Sequence, residues 1–146
     1  MASVRRTADM PYSAREMFDL VNDIESYPLF LSWCSGARIT YRDLDTIEAS
    51  LDVGIAGISK TFSTRNELTP PNLMTVKLVA GPFKQLDGVW TFDVLTERSC
   101  RVSLALDFSV QASPLSMVFN TMFEEVSRSQ MSAFRERADQ VYGSRS

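Results

Sequence analysis

The sequence predicts an α+β fold in which a curved antiparallel sheet wraps around one long C-terminal helix, with two short helices after the first strand. Two periodicities predict it. Apolar residues recur every second position in successive segments between about Ala37 and Val110, and then at 3.6 residues per turn from Ser113 to Tyr142. A capping signature at residues 11–17 places helical turns ahead of the sheet. At 146 residues the chain is long enough for one domain with a sizeable core, so a single domain over 1–146 is expected, with a tail that frays from about residue 143.

The elements follow in order. Val4–Met10 reads as a short edge strand. Ser13 then serves as an N-cap with Glu16 three residues on, and Tyr12 and Met17 fit a hydrophobic staple around that box. The helix should run to about Asn22, and Ser26-Tyr27-Pro28 starts a second short helix ending near Leu31. Ile47, Ala49, Leu51, Val53 and Ile55 alternate with polar residues or glycine and form a half-buried strand. The stretch Gly54-Ile55-Ala56-Gly57 turns the chain, Ile58–Leu68 returns as the hairpin partner, and Thr69-Pro70-Pro71-Asn72 breaks it again. Leu73–Ala80 is the next strand. After Gly81-Pro82-Phe83, the residues Leu86, Gly88, Trp90, Phe92 and Val94 share one face. Cys100, Val102, Leu104, Leu106, Phe108 and Val110 do the same in the last strand. Short connections throughout make an antiparallel meander. Ser113-Pro114 supplies an N-cap and an N1 proline for the final helix, and Gly143 ends it. Its apolar stripe comprises Leu115, Val118, Phe119, Met122, Phe123, Val126, Ala133, Phe134 and Val141, and the sheet is the surface large enough to cover it.

Composition removes several functional classes. The chain has no histidine, on which most water-activating metal sites and hydrolytic triads rely, and it carries neither a phosphate-binding glycine loop nor a dinucleotide fingerprint. No cofactor or metal site is therefore expected. Fifteen basic against eighteen acidic side chains give a net charge of −3, which argues against a broad grip on nucleic-acid backbones, and no DNA partner is expected. Cys34 and Cys100 stand far apart outside any C-x-x-C pair and read as buried free thiols. No apolar h-region follows the N-terminal Arg5-Arg6 pair and no apolar run is long enough to span a bilayer, so a cytoplasmic location is expected.

Three local runs carry a resemblance. They are Ser26-Tyr27-Pro28-Leu29-Phe30-Leu31 followed by Trp33-Cys34; Gly57-Ile58-Ser59-Lys60-Thr61-Phe62 with Thr64-Arg65-Asn66; and Gly81-Pro82-Phe83-Lys84 with Leu86, Gly88, Trp90 and Phe92. Together with the element order, they resemble the helix-grip fold of the START-like (polyketide cyclase/dehydrase) superfamily, and within it the bacterial coenzyme Q-binding and ribosome association toxin RatA family. Ser32 departs from the family pattern, in which many members have proline, and this bears on the shape of one loop. The resemblance implies a non-enzymatic protein with one of two roles. The first is binding of a ubiquinone-type isoprenoid quinone in support of cellular respiration. The second is association with the large ribosomal subunit, which blocks subunit joining and inhibits translation. A polyketide cyclase is the third and weakest reading.

Candidate residues follow. Trp90, Phe92, Leu104, Leu106 and Phe108 on the sheet face Phe119, Met122, Phe123 and Val126 on the helix, and with Trp33 they line a ligand cavity or, alternatively, fill an ordinary core. Tyr27–Trp33 is a lid at the cavity mouth, a surface that touches a membrane or a partner, or plain packing of the short helices. Lys60, Arg65, Lys77 and Lys84 form a basic face for ribosomal RNA or anionic headgroups, or else belong to a solvated sheet face. Asp52, Glu67, Asp93 and Asp107 are the carboxylates available for acid or base work, with no partner at a diagnostic spacing.

Overall fold

The structure is a computed structural model, and it describes residues 2–55, 57–110 and 116–145. Seven strands form one antiparallel sheet: β1 (Ala2–Met10), β2 (Cys34–Arg42), β3 (Thr46–Ile55), β4 (Ile58–Thr69), β5 (Leu73–Ala80), β6 (Phe83–Thr96) and β7 (Ser99–Val110). Their order across the sheet is β1-β7-β6-β5-β4-β3-β2. Strands β2 to β7 are thus a continuous meander, and β1 caps it by pairing with β7 from Ala2↔Phe108 to Met10↔Cys100. Between β1 and β2 lie α1 (Ala14–Asn22) and a 3-10 helix (Ile24–Leu29), and α2 (Ser116–Tyr142) closes the chain.

The local chemistry expected for α1 is present. Ser13 Oγ accepts from the Glu16 N–H at 3.1 Å, and the Ser13 N–H donates to Glu16 Oε1 at 2.9 Å. Tyr12 and Met17, the staple pair, are both fully buried. The second short helix starts at Ile24, earlier than the Ser26-Tyr27-Pro28 signal, and winds as a 3-10 turn. The N-cap and N1 proline read at Ser113 and Pro114, and the first stripe residue Leu115, lie outside the described residues.

Alternation along the strands sets two faces. On β3, Ile47, Ala49, Leu51 and Val53 are buried against α2 and the core. On β6 the pattern holds through Phe92 and then fails, for Val94 is 63% exposed where the strand runs past the helices. The α2 stripe also ends early. Val118, Phe119, Met122, Phe123, Val126 and Phe134 are buried, but Val141 is 48% exposed and Ala138 takes the inward position. Phe134 meets Tyr27, Phe30 and Trp90 edge-on at 5.7, 5.2 and 5.4 Å, joining helix, 3-10 turn and sheet in one aromatic cluster.

Gly143 ends α2 with φ 90, and its N–H bonds the Asp139 carbonyl. The tail expected to fray is tied down as far as Arg145. The Arg145 guanidinium makes a two-pronged bond to Glu16 at 2.7 and 3.0 Å and lies over the Tyr12 ring, while Tyr12 donates to Asp139 and to the Gly143 carbonyl.

Candidate functional site

Between the concave face of the sheet and the first half of α2 lies a cavity of about 90 Å³. Strands β3 to β7 contribute Leu51, Phe62, Thr64, Asn66, Met74, Val76, Leu86, Gly88, Trp90, Leu104 and Leu106. The helix contributes Met122, Phe123, Val126 and Gln130, and the 3-10 segment and its exit contribute Ile24, Tyr27 and Trp33. The space exists partly because Gly88 has no side chain. A Cβ there would lie 3.2 Å from Leu106 Cδ1 and 3.3 Å from Val76 Cβ, so glycine keeps the centre of the sheet low.

Of the ten residues expected to line a cavity, the structure brings Trp33, Trp90, Leu104, Leu106, Met122, Phe123 and Val126 around it. Phe92, Phe108 and Phe119 are not on its wall. Phe92 is fully buried edge-on against Phe18 of α1. Phe108 stacks on Phe123, and Phe119 packs on Phe83 at 4.7 Å. Those three rings fill core at either end. The sequence reading missed Thr64, Asn66 and Gln130, each at most 5% exposed and each on the wall. A signal was present: Thr64 and Asn66 interrupt the buried face of β4 after Phe62, and Gln130 interrupts the apolar stripe of α2.

Tyr27 is the one ionisable group among the described lining residues. Its hydroxyl donates to the Val21 carbonyl, and burial raises its pKa, so it remains a protonated structural donor. Asp52 and Asp107, weighed as acids, lie away from the cavity on the convex face. Hydrogen bonds from Arg38 and Thr61 hold Asp52 below the usual carboxylate range, and those from Ser3 and Arg5 do the same for Asp107. Such groups stay ionised at neutral pH and are poor proton donors. Glu67 and Asp93 are also outward-facing, in step with exposed Arg65 and half-buried Thr91 along their strands.

At one end the cavity backs onto an outer groove of about 260 Å³ between the loop after the 3-10 helix and α2, lined by Phe30, Leu31, Ser32, Glu125, Ser129, Ser132, Ala133 and Glu136. Trp33 and Gln130 belong to both spaces. The Trp33 Nε1–H donates to Gln130 Oε1 at 3.2 Å, so one hydrogen bond forms the partition between cavity and groove. Of the Tyr27–Trp33 segment, Tyr27, Leu31 and Trp33 point into the core, and Leu29 is 73% exposed. The segment is a packed wall from which Leu29 and Ser32 face outward.

The four basic residues do not share a face. Arg65 and Lys77 are register partners on the convex side, where Glu48 and Asp87 neutralise them at 3.7 Å each. Lys60 is in phase with the inward residues Phe62, Thr64 and Asn66, at the rim of the opposite face. Lys84 sits at the irregularity between Phe83 and Gln85, and neither Lys60 nor Lys84 makes an ion pair among the described residues. The pairs Arg5–Asp107, Arg38–Asp52 and Arg101–Asp9 extend the same cross-strand matching, which makes the convex face a charge ladder instead of a basic patch.

Cys34 and Cys100 are both buried and free. Among the described residues no group of acidic, cysteine or histidine side chains is arranged to hold a metal ion, and no helix is long and apolar enough to cross a membrane.

Comparison with known proteins agrees with this architecture. Residues 10–135 match the family of polyketide cyclase/dehydrase and lipid transport proteins. The ribosome association toxin RatA of Escherichia coli (strain K12) is 43% identical over 145 residues, which is 99% of this chain and 92% of that protein. The mitochondrial coenzyme Q-binding protein COQ10 homolog B of Xenopus laevis is 24% identical over 136 residues, covering 90% of this chain and 56% of that one. Among solved structures, the Zhui aromatase/cyclase of Streptomyces sp. R1128 superposes with a TM-score of 0.81 at 17% identity, covering 95% and 94% of the two chains. A START superfamily protein of Mycobacterium smegmatis gives 0.77 at 23%, covering 95% and 98%. This chain has the START-like helix-grip fold and belongs to the polyketide cyclase/dehydrase and lipid transport family, in the branch that contains the ribosome association toxin RatA.

Proposed function

We propose that this protein binds an apolar ligand of the isoprenoid-quinone type beneath α2 and performs no chemistry on it. One observation carries the reading. The cavity wall is apolar apart from a few neutral polar groups, and no carboxylate, lysine or arginine reaches it among the described residues. Burial without a carboxylate, lysine or arginine to act as acid or base suits a carrier and not a cyclase. A relative named as a coenzyme Q-binding protein supports the choice of ligand.

At about 90 Å³ the space is smaller than the roughly 300–1,000 Å³ of ordinary ligand pockets, so loading requires the wall to move. Met74 and Met122 supply adaptable side chains, and the Trp33–Gln130 partition opens onto the groove. The test is native mass spectrometry of the purified protein with solvent extraction of what it carries, followed by titration with long-tailed and short-tailed quinones. Each buried methylene contributes about 0.8 kcal/mol, so tail length should dominate affinity. Equal affinity for both lengths sinks the reading.

A second reading has its own support, the 43% identity over 99% of the chain to a protein named as a ribosome association toxin. On that reading the protein acts in the cytoplasm on the large ribosomal subunit. Arg65 and Lys77, already matched by acidic neighbours, would contribute little to an RNA contact, and Lys60 and Lys84 would contribute more. Co-sedimentation with purified large subunits across a salt series tests it, since contacts to phosphate weaken steeply with salt. Absence of the protein from the subunit fraction at low salt removes this role.

A further inference from the structure

The apolar cavity contains one feature that an all-hydrocarbon ligand would leave unanswered. Asn66 is 4% exposed, it lies on the cavity wall, and its Oδ1 is buried with no hydrogen-bond partner. Thr64, 3% exposed, is its neighbour two residues back on the same face of β4. Asn66 sits in the middle of the sheet, in register with Ile47 on one side and Val76 on the other, and Val76 pairs in turn with Gly88. The carboxamide is thus separated by one strand from the glycine that leaves the cavity its space, and is not at a solvent edge.

A buried amide oxygen with no donor destabilises the fold relative to an apolar side chain of similar shape. Its presence at this position therefore points to a partner that is there when the protein works. We infer that Asn66, with Thr64 beside it, is the polar seat for a ligand that carries a hydroxyl on an apolar skeleton, as a phenol, quinol or prenyl alcohol does. A hydroxyl both donates and accepts, so it satisfies the carboxamide whichever way the amide is turned. A hydrocarbon satisfies neither group. The inference rests on the cavity reading above and narrows it, placing the ligand's oxygen under α2 and leaving its apolar remainder to run toward Trp33 and the groove.

The experiment compares phenol with toluene, which differ in shape by little more than a hydroxyl for a methyl. Binding to wild type and to Asn66→Leu is followed by calorimetry and by tryptophan emission, since Trp33 and Trp90 both line the cavity. Wild type should favour phenol over toluene on the order of tenfold more than the variant does, because one buried hydrogen bond is lost. The variant should also melt higher than wild type, as removal of an orphaned polar group predicts. An unchanged phenol-to-toluene ratio, with both probes still binding, overturns the seat and leaves the cavity standing. A variant that melts lower, or does not fold, overturns it too, because the carboxamide would then be a structural group. If neither probe binds wild type or shifts its emission, the cavity reading fails and the seat fails with it. Thr64→Val, nearly isosteric, should move the same ratio in the same direction by a smaller factor.

Discussion

The partition between cavity and groove can be measured by a double-mutant cycle on Trp33 and Gln130. The two side chains are 6% and 5% exposed and share one hydrogen bond of 3.2 Å. Trp33→Phe removes the donor and leaves the Gln130 carboxamide buried without its partner, and Gln130→Leu leaves the indole N–H in the same position. Each orphaned group costs about 1–3 kcal/mol beyond lost packing. The double variant leaves no orphan, so it should be less destabilised than the sum of the singles by about 1–2 kcal/mol. For a chain of this size that is a departure from additivity of roughly 3–8 °C in Tm. Urea unfolding followed by far-UV circular dichroism is the suitable assay, since tryptophan emission changes with the mutation itself. Equal m-values across the four proteins would show that the comparison concerns stability alone. Additivity within about 0.5 kcal/mol would refute the partition as an energetic unit. The same variants should exchange a cavity ligand faster than wild type, since the bond they break closes the inner space.

Other outcomes follow from the same geometry. Burial pushes the Cys34 and Cys100 thiols up to about 11 from 9.0, leaving about a hundredfold less thiolate at pH 8 than in a free thiol. Disulfide-exchange labelling should therefore be slow in native buffer and fast in denaturant, and fast native labelling would contradict the burial. Glu16 is held below its ordinary value of 4.5, chiefly by the hydrogen bond from Arg145. Its folded pKa lies under its unfolded one, so its contribution is complete above about pH 4.5 and is lost as pH falls through the lowered value. Glu16→Gln should thus be less stable than wild type at pH 7, with the gap closing in acid. A pH-independent gap would assign the loss to packing and not to charge, since Gln at this position keeps the capping box. Phe134→Ala, at a ring 1% exposed with three aromatic neighbours, should cost about 3–5 kcal/mol in denaturant melts. A loss under about 1 kcal/mol would mean that the helix is not anchored there.

What the sequence determined by itself is whatever depends on neighbours along the chain. The capping box at Ser13 and Glu16 is a contact between residues three apart, and helix and box were legible to the residue. Period-two alternation on β3 and β7 and the 3.6-residue stripe on α2 assigned core faces, because side-chain direction follows backbone geometry before any packing occurs. The boundary errors lie where an element outruns its cover, as at Val94 and Val141, since exposure there depends on how far a distant partner reaches. The division of apolar residues into wall and filler was equally closed to the sequence. Phe92 and Trp90 share a strand face and stack on each other, yet Phe92 is taken up by Phe18 of α1 while Trp90 borders open space. Lys60 and Arg65 are both basic residues on one strand, but five positions apart they fall on opposite faces, and Glu48 reaches Arg65 only through the pairing of β3 with β4. Asn66 is the strongest case. Its type and its inward phase can be read from the chain, but an amide oxygen becomes an orphan only when several strands and a helix exclude water from it without supplying a donor, and only the tertiary structure decides that.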